Sequence, residues 1–300
     1  MEILITGGTG LLGRALCKAL QARGDDVTVL SRHPLRVPRL CGKGVRGIGD
    51  LSEWTPARRF DAVINLAGAP IVDHAWSEAR KRQLWGSRVE LTQALVAVMA
   101  RAEVLPAVLL SGSAVGIYGD CGELICAEDG PAQPAQDFGA RLCDAWEAAA
   151  LGAEALGTRV CLLRTGLVLA HEGRLLARMR PAFAMGLGMR LGDGRQWMSW
   201  IQLTDWVAGV LHLLDSTSAR GPYNLCAPQP VRNADFTRTL AAALKRPAFL
   251  AAPSCALRLM LGQRAYLLLG GQRVLPERLL GEGFVFQHET VEEALRASLD

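Results

Sequence analysis

A glycine-rich turn near the start constrains this chain more than any other feature. Thr6-Gly7-Gly8-Thr9-Gly10-Leu11-Leu12-Gly13 follows the apolar run Ile3-Leu4-Ile5 and leads into Arg14-Ala15-Leu16-Cys17-Lys18-Ala19-Leu20. Gly8, Gly10 and Gly13 have the G-x-G-x-x-G spacing, and the strand before and helix after supply the context that a chance match lacks. In such a unit one glycine makes the tight turn, one lets backbone approach a pyrophosphate, and one permits close packing of helix on strand. The helix N-terminus adds unpaired N–H groups and the positive end of its dipole. The stretch therefore predicts a dinucleotide cradle, with Thr6, Gly7, Gly10, Leu11, Leu12 and Gly13 as its first binding residues.

A second apolar run, Val27-Thr28-Val29-Leu30, ends in Ser31-Arg32, where an acidic residue would otherwise bind a ribose 2'-hydroxyl. A carboxylate repels a 2'-phosphate, whereas a hydroxyl and a guanidinium donate charge-assisted hydrogen bonds to it. NADP is predicted over NAD.

At 300 residues the chain is long enough for one large or two modest domains. A net charge of +4 and a pI near 8.7, with the charges interspersed, give no nucleic-acid footprint. The first residues run straight into the strand and turn, which leaves no room for a secretory signal. Apolar stretches such as 94–100 or 257–261 are too short to span a bilayer. A cytoplasmic protein with a small-molecule substrate, and with no nucleic-acid or membrane partner, is expected. The eight cysteines are scattered, several in apolar runs, as reduced and buried thiols would be. Cys121 and Cys126 lack CxxC spacing and the five histidines are isolated, so no metal is expected.

Strand-like runs near 2–5, 27–30, 61–66, 107–111 and 159–168 alternate with helix-period segments near 12–22, 78–101 and 137–151. This alternation predicts an α/β fold, a doubly wound parallel Rossmann sheet with a smaller substrate-side region. The expected division is a nucleotide-binding domain over 1–169, to which 197–219 returns, and a substrate-side region over 170–300 whose 248–297 segment is helical. Ligands sit beyond the carboxyl ends of parallel strands, which singles out Leu66-Ala67-Gly68 and Ser111-Gly112-Ser113. Ser113 is the best-placed polar group for a substrate oxygen.

Beyond the opening turn, the chain carries Gly86-Ser87-Arg88, Ser111 to Gly119, Trp146-Glu147, Arg164-Thr165-Gly166, Gly192 to Gln196 with Ser199-Trp200-Ile201, and Gly270 to Pro276. Over essentially its whole length it resembles the atypical extended short-chain dehydrogenase/reductases, in particular the epimerase-like family of unassigned substrate that carries its own C-terminal domain of unknown function. The resemblance implies cofactor contacts from the glycine loop, Ser31, Arg32, Asp50, Leu66, Ala67, Gly68, Gln83, Arg88, Ser111 and the backbone near Leu167. It also implies a substrate loop in which Arg195 clamps an anion and a tryptophan, Trp200, stacks on a ring; Trp206 is expected in the core.

One departure weighs against those matches. Short-chain dehydrogenases pair a tyrosine acid/base with a lysine four residues on, whose charge lowers the tyrosine pKa. Here the three tyrosines, Tyr118, Tyr223 and Tyr266, are followed at that spacing by Gly122, Ala227 and Gly270, and the expected helix begins Phe138-Gly139-Ala140-Arg141-Leu142. Tyr118 is the remaining candidate phenol, with Arg141 as a possible partner. Two functions follow: an NADP-dependent oxidoreductase or epimerase using Ser113 and Tyr118, or an NADPH-binding sensor that has lost catalysis. The role given to Ser31 and Arg32 predicts that Arg32→Asp weakens NADPH at least about tenfold while sparing NADH. Calorimetric titration checks this, and equal affinity of the unaltered protein for the two cofactors contradicts it.

Overall fold

The computed structural model describes residues 1–130 and 137–299. Its centre is a sheet of seven strands: β1 (Glu2–Thr6), β2 (Asp26–Leu30), β3 (Arg46–Ile48), β4 (Ala62–Asn65), β5 (Val108–Ala114), β6 (Arg159–Thr165) and β7 (Gly221–Leu225). All pairings are parallel, in the order β7-β6-β5-β4-β1-β2-β3. Period-two alternation sends Ile3 and Ile5 to one face and Leu4 to the other. Helices α1 (Leu11–Arg23) and, further along, Leu203–Asp215 cover the first face with Leu16, Leu20, Val210 and Leu213. On the second face, Leu95, Val98 and Met99 of Leu91–Met99 and Ala150 of Phe138–Leu151 pack on Leu4, Val63 and Leu109. Burial on both faces is why the central strands read as unbroken apolar runs.

Strand order reverses between β1 and β4, so a crevice opens above their carboxyl ends. Thr6 and Asn65 are register partners at that point. Both are buried, and their polar atoms are satisfied inside the fold. Thr6 Oγ1 donates to Asn65 Oδ1 (2.6 Å) and accepts from the Ala67 N–H (3.1 Å); Asn65 Nδ2 donates to Thr92 Oγ1 (2.8 Å) and Ser111 Oγ (3.2 Å).

The structure departs from the expected elements in several places, and the main sheet gains β3 and β7, which the expected strand runs do not include. The segment 78–101 is two helices, α2 (Glu78–Trp85) and α3 (Leu91–Met99), joined by one wide π turn, Gly86–Glu90. The run 159–168 breaks at Gly166, where a Cβ would lie 2.7 Å from the Ser199 carbonyl; Leu167–Leu169 then leaves the main sheet and pairs with Trp200–Gln202. Leu250–Ala252, expected as helix, is a strand paired with Met189–Leu191. The chain's return to the main sheet extends through Leu225, and Leu279 and Phe286 join the same core cluster as β1.

Asn65→Ala takes the acceptor from the Thr6 hydroxyl and a donor from each of the Thr92 and Ser111 hydroxyls in the core, and is expected to cost about 1–3 kcal/mol. Urea unfolding measures this; an unchanged midpoint would remove the network from the list of stabilising elements.

Candidate functional site

The opening turn forms a cradle whose glycine roles are reassigned by the structure. Gly7, rather than Gly8, has the left-handed φ of +71°, and a Cβ there would lie 2.5 Å from the Leu66 carbonyl. Gly8 is required by β2, since its Cβ would meet Val29 at 2.6 Å, and Gly13 by the turn itself, 2.5 Å from the Gly8 Cα. Gly10 caps α1 without a side-chain cap, and the first turn holds no acidic residue. The Leu11, Leu12 and Gly13 amides therefore face the crevice with no described acceptor.

At the end of β2, the Ser31 amide donates to the Ile48 carbonyl (2.9 Å), and its hydroxyl accepts from the His33 amide. Arg32 is exposed, and its guanidinium makes no bond to a described residue. Asp50, beyond β3, caps the short turn Leu51–Glu53 by accepting from the Ser52 amide (2.8 Å), and that hydrogen bond holds its carboxyl below the usual range.

The wide turn after α2 places two residues against the loop that follows β4. Ser87 Oγ accepts from the Ala69 amide (3.0 Å). Arg88 is half-buried, 2.8 Å from where a Gly68 Cβ would sit, with its guanidinium 5.3 Å from the Trp146 ring centroid. Its one described acceptor is the Leu84 carbonyl at 3.5 Å, and burial lowers its pKa. A guanidinium so short of acceptors has donors left for a ligand. Gln83 is exposed on α2 and accepts from Arg80 (2.6 Å). Leu167 is exposed, its amide donating to the Ser199 carbonyl (2.8 Å).

Thr6 and Ser111, both expected among the cofactor-binding residues, are fully buried with their hydroxyls engaged by Asn65.

Parallel register places Ser113 beside Arg164, and Arg164 beside Asn224, at the carboxyl ends of β5, β6 and β7. Glu147, from α4 (Phe138–Leu151), lies across them. Arg164 donates to both its carboxylate oxygens, Nε to Oε1 and Nη2 to Oε2, each at 2.9 Å. Ser113 Oγ donates to Oε1 at 2.6 Å. Tyr118 completes the group: its hydroxyl accepts from Arg164 Nη1 (3.0 Å) and donates to Asn224 Oδ1 (2.8 Å). Burial pushes the phenol up to about 12, outweighing the stabilising charge of Arg164.

This arrangement revises the roles expected of Ser113 and Tyr118. The single Ser113 proton is committed to a buried carboxylate, so polarising a substrate oxygen requires breaking a charge-assisted bond. Tyr118 is held protonated, and its cationic neighbour is Arg164 in place of Arg141. From the sequence, Arg164 carries no assigned role, and Glu147, beside Trp146 on a helix, is a candidate acid more easily read as structural. The available signal was a charge closing the apolar run Val160–Leu163, which is buried on both faces. At the usual acid/base address, Phe138 and Leu142 pack with Trp76, Leu84 and Trp146. Tyr266, from the C-terminal region, reaches the same place and accepts from the Gly139 amide (3.1 Å).

Arg195 rims a cleft of about 200 Å³ with Asp120, Glu123, Asp193, Trp197 and Arg232. Arg232 pairs with Glu123 (2.5 Å) and lies 3.8 Å from the Trp197 ring centroid, with Arg273 at 4.8 Å from the same centroid. Two guanidiniums, Arg195 and Arg232, line the cleft with three carboxylates. Trp200, expected to stack on a ligand ring, is a correction: it is fully buried, packs with Phe183 and Phe236, and donates to the Gln229 carbonyl (3.0 Å), so it is a core residue. Trp206 is core as expected, its indole N–H on Thr165. Among the described residues no group of three His, Cys, Asp or Glu is placed to hold a metal ion.

The model of the NAD dependent epimerase/dehydratase family matches residues 3–226, and that of a domain of unknown function, DUF1731, matches 252–298. An epimerase family protein of Mycobacterium leprae is 41% identical over 98% of this chain and 94% of its own length. The chloroplastic SDR39U1 homolog of Arabidopsis thaliana is 38% identical over 99% of this chain and 86% of its own. The crystal structure of human epimerase family protein SDR39U1 (isoform 2) with NADPH superposes with a TM-score of 0.89 at 33% identity, covering 100% of this chain and 99% of that one. With the seven-stranded sheet and its glycine cradle, these matches show that the chain belongs to the NAD dependent epimerase/dehydratase family and carries a C-terminal DUF1731 domain.

Proposed function

We propose that the chain binds NADPH in the crevice above β1 and β4 and acts as an oxidoreductase on a small carbonyl or nucleotide-sugar-like substrate in the cytoplasm. The observation that carries the reading is the uncapped α1 N-terminus, whose Leu11, Leu12 and Gly13 amides have no described acceptor, together with the Arg32 guanidinium, which has no partner among the described residues. These groups fit the cofactor: the amides would hold the pyrophosphate, Ser31 and Arg32 the 2'-phosphate, and Arg88 the side of the ligand that passes Gly68. The NADPH in the human relative's structure supports the same assignment.

When bound, the nicotinamide supplies or accepts a hydride. This chain's own residues then have to manage charge at the substrate oxygen. Arg164 keeps its charge at any working pH and delivers it through the Tyr118 hydroxyl. Tyr118 can meet a developing oxyanion by turning its O–H away from Asn224, while its high pKa makes it a poor base.

A second reading has its own supporting observation. The Ser113 and Tyr118 protons are both committed within the network, as in a protein that binds NADPH and reports its presence without turning anything over. Incubation with C4-deuterated NADPH and a metabolite extract separates the two. Deuterium in one compound, lost with Tyr118→Phe, supports the oxidoreductase; no transfer from protein shown to bind NADPH supports the sensor. Any activity found should show no Tyr118-dependent limb between about pH 6 and 10, because a phenol raised to about 12 stays protonated throughout. Glu147→Gln leaves the Arg164 charge uncompensated, so the Tyr118 phenol should titrate lower while stability falls by about 3–5 kcal/mol. Ultraviolet phenolate titration and urea unfolding measure the two effects, and a Tyr118 titration that does not move contradicts the coupling.

A further inference from the structure

Residues 174–191 and 244–264 together hold eight Lys and Arg and no Asp or Glu. The fold brings the two stretches together: Leu250 pairs with Met189, the Gly192 amide donates to the Ala252 carbonyl (2.8 Å), and a Gly186 Cβ would lie 3.7 Å from Pro247. Large apolar side chains stand in solvent on the joined surface. Phe249 is 92% exposed, and Met185, Leu187, Met189 and Leu250 are exposed beside it. The following helix, Ser254–Leu261, buries none of its residues; Leu259 and Met260 on it are 89% and 76% exposed. Lys245, Arg246 and Arg258 are exposed with no described side-chain partner, and Arg190 reaches only the Asp193 carbonyl. The acid that approaches, Asp73, is shared between Arg174 and Arg178.

We infer that this face docks on an anionic lipid membrane surface. Exposed apolar groups flanked by cations of one sign suit the boundary between headgroups and acyl chains, where the apolar side chains leave water and the cations meet anionic headgroups. A second copy fits the surface poorly, because a two-fold contact sets the patch against itself and brings its cations face to face. No helix among the described residues is long and apolar enough to cross a membrane. The expectation of no membrane partner rests on that spanning criterion, which a surface lying in the headgroup layer does not need to meet.

The test is co-sedimentation of the full chain with vesicles of phosphatidylcholine alone and of phosphatidylcholine with phosphatidylserine. Binding to the anionic vesicles, weakened at least about tenfold both by Phe249→Ser with Leu259→Ser and by Lys245→Glu with Arg246→Glu, supports the inference. All four side chains are exposed, so circular dichroism should show both double variants folded. Absence of binding to either vesicle overturns the inference, as does binding that survives the serine changes. Self-association abolished by the serine changes, without vesicle binding, would assign the face to a second copy. Retention on polyglutamate without vesicle binding would assign it to an acidic protein. Either result overturns the lipid assignment.

Discussion

The side-chain amide of Asn65 is the contact on which the nucleotide half of the molecule depends. A parallel sheet covered on both faces has no water to offer, so each polar atom at its centre needs a partner within the protein. Asn65 joins β1 through Thr6, β5 through Ser111 and α3 through Thr92, and the Trp146 indole of α4 closes on Thr92 as well. Because Thr6 also holds the Ala67 amide, the turn after β4 is tied to the strand that carries the glycine loop. A Cβ at Gly7 would lie 2.5 Å from the Leu66 carbonyl, so glycine is what lets the two walls of the crevice come this close.

The Glu147–Arg164 pair plays the corresponding part on the substrate side. Both side chains are largely removed from water, where each charge alone would be costly, and bidentate geometry offsets that cost. Its consequence is chemical as well as structural. It occupies the Ser113 proton and places a cation on the Tyr118 oxygen, while Phe138 and Leu142 at the start of α4 lie in an apolar cluster with Trp76 and Trp146. Charge at this site is carried by a permanent cation acting through a phenol, and the proton inventory is small.

The cofactor side was legible in the sequence because its determinants are local. A strand, a glycine turn and a helix start are consecutive, and Ser31-Arg32 follows its own strand directly. The wide turn at Gly86–Glu90 was not legible, since Glu78 to Met99 has one continuous helical period; only the packing of Ser87 and Arg88 against 67–69 shows what the extra residue accomplishes. The break at Gly166 was hidden for a similar reason: the glycine is required by a backbone more than thirty residues away.

By itself the sequence determined the parallel α/β class, the place of the glycine cradle, the cationic end of β2 and that no tyrosine is followed by a lysine four residues on, all of which rest on residue type at short spacing. Tertiary structure alone decided that Ser113, Arg164 and Asn224 stand side by side, that Glu147 reaches across from α4, and that Trp200 is core while Phe249 and Leu259 stand in solvent. The physical reason is that strand register and burial are set by contacts between segments tens to more than a hundred residues apart, and a linear pattern of polar and apolar residues gives the period of each segment without saying which neighbour it will meet.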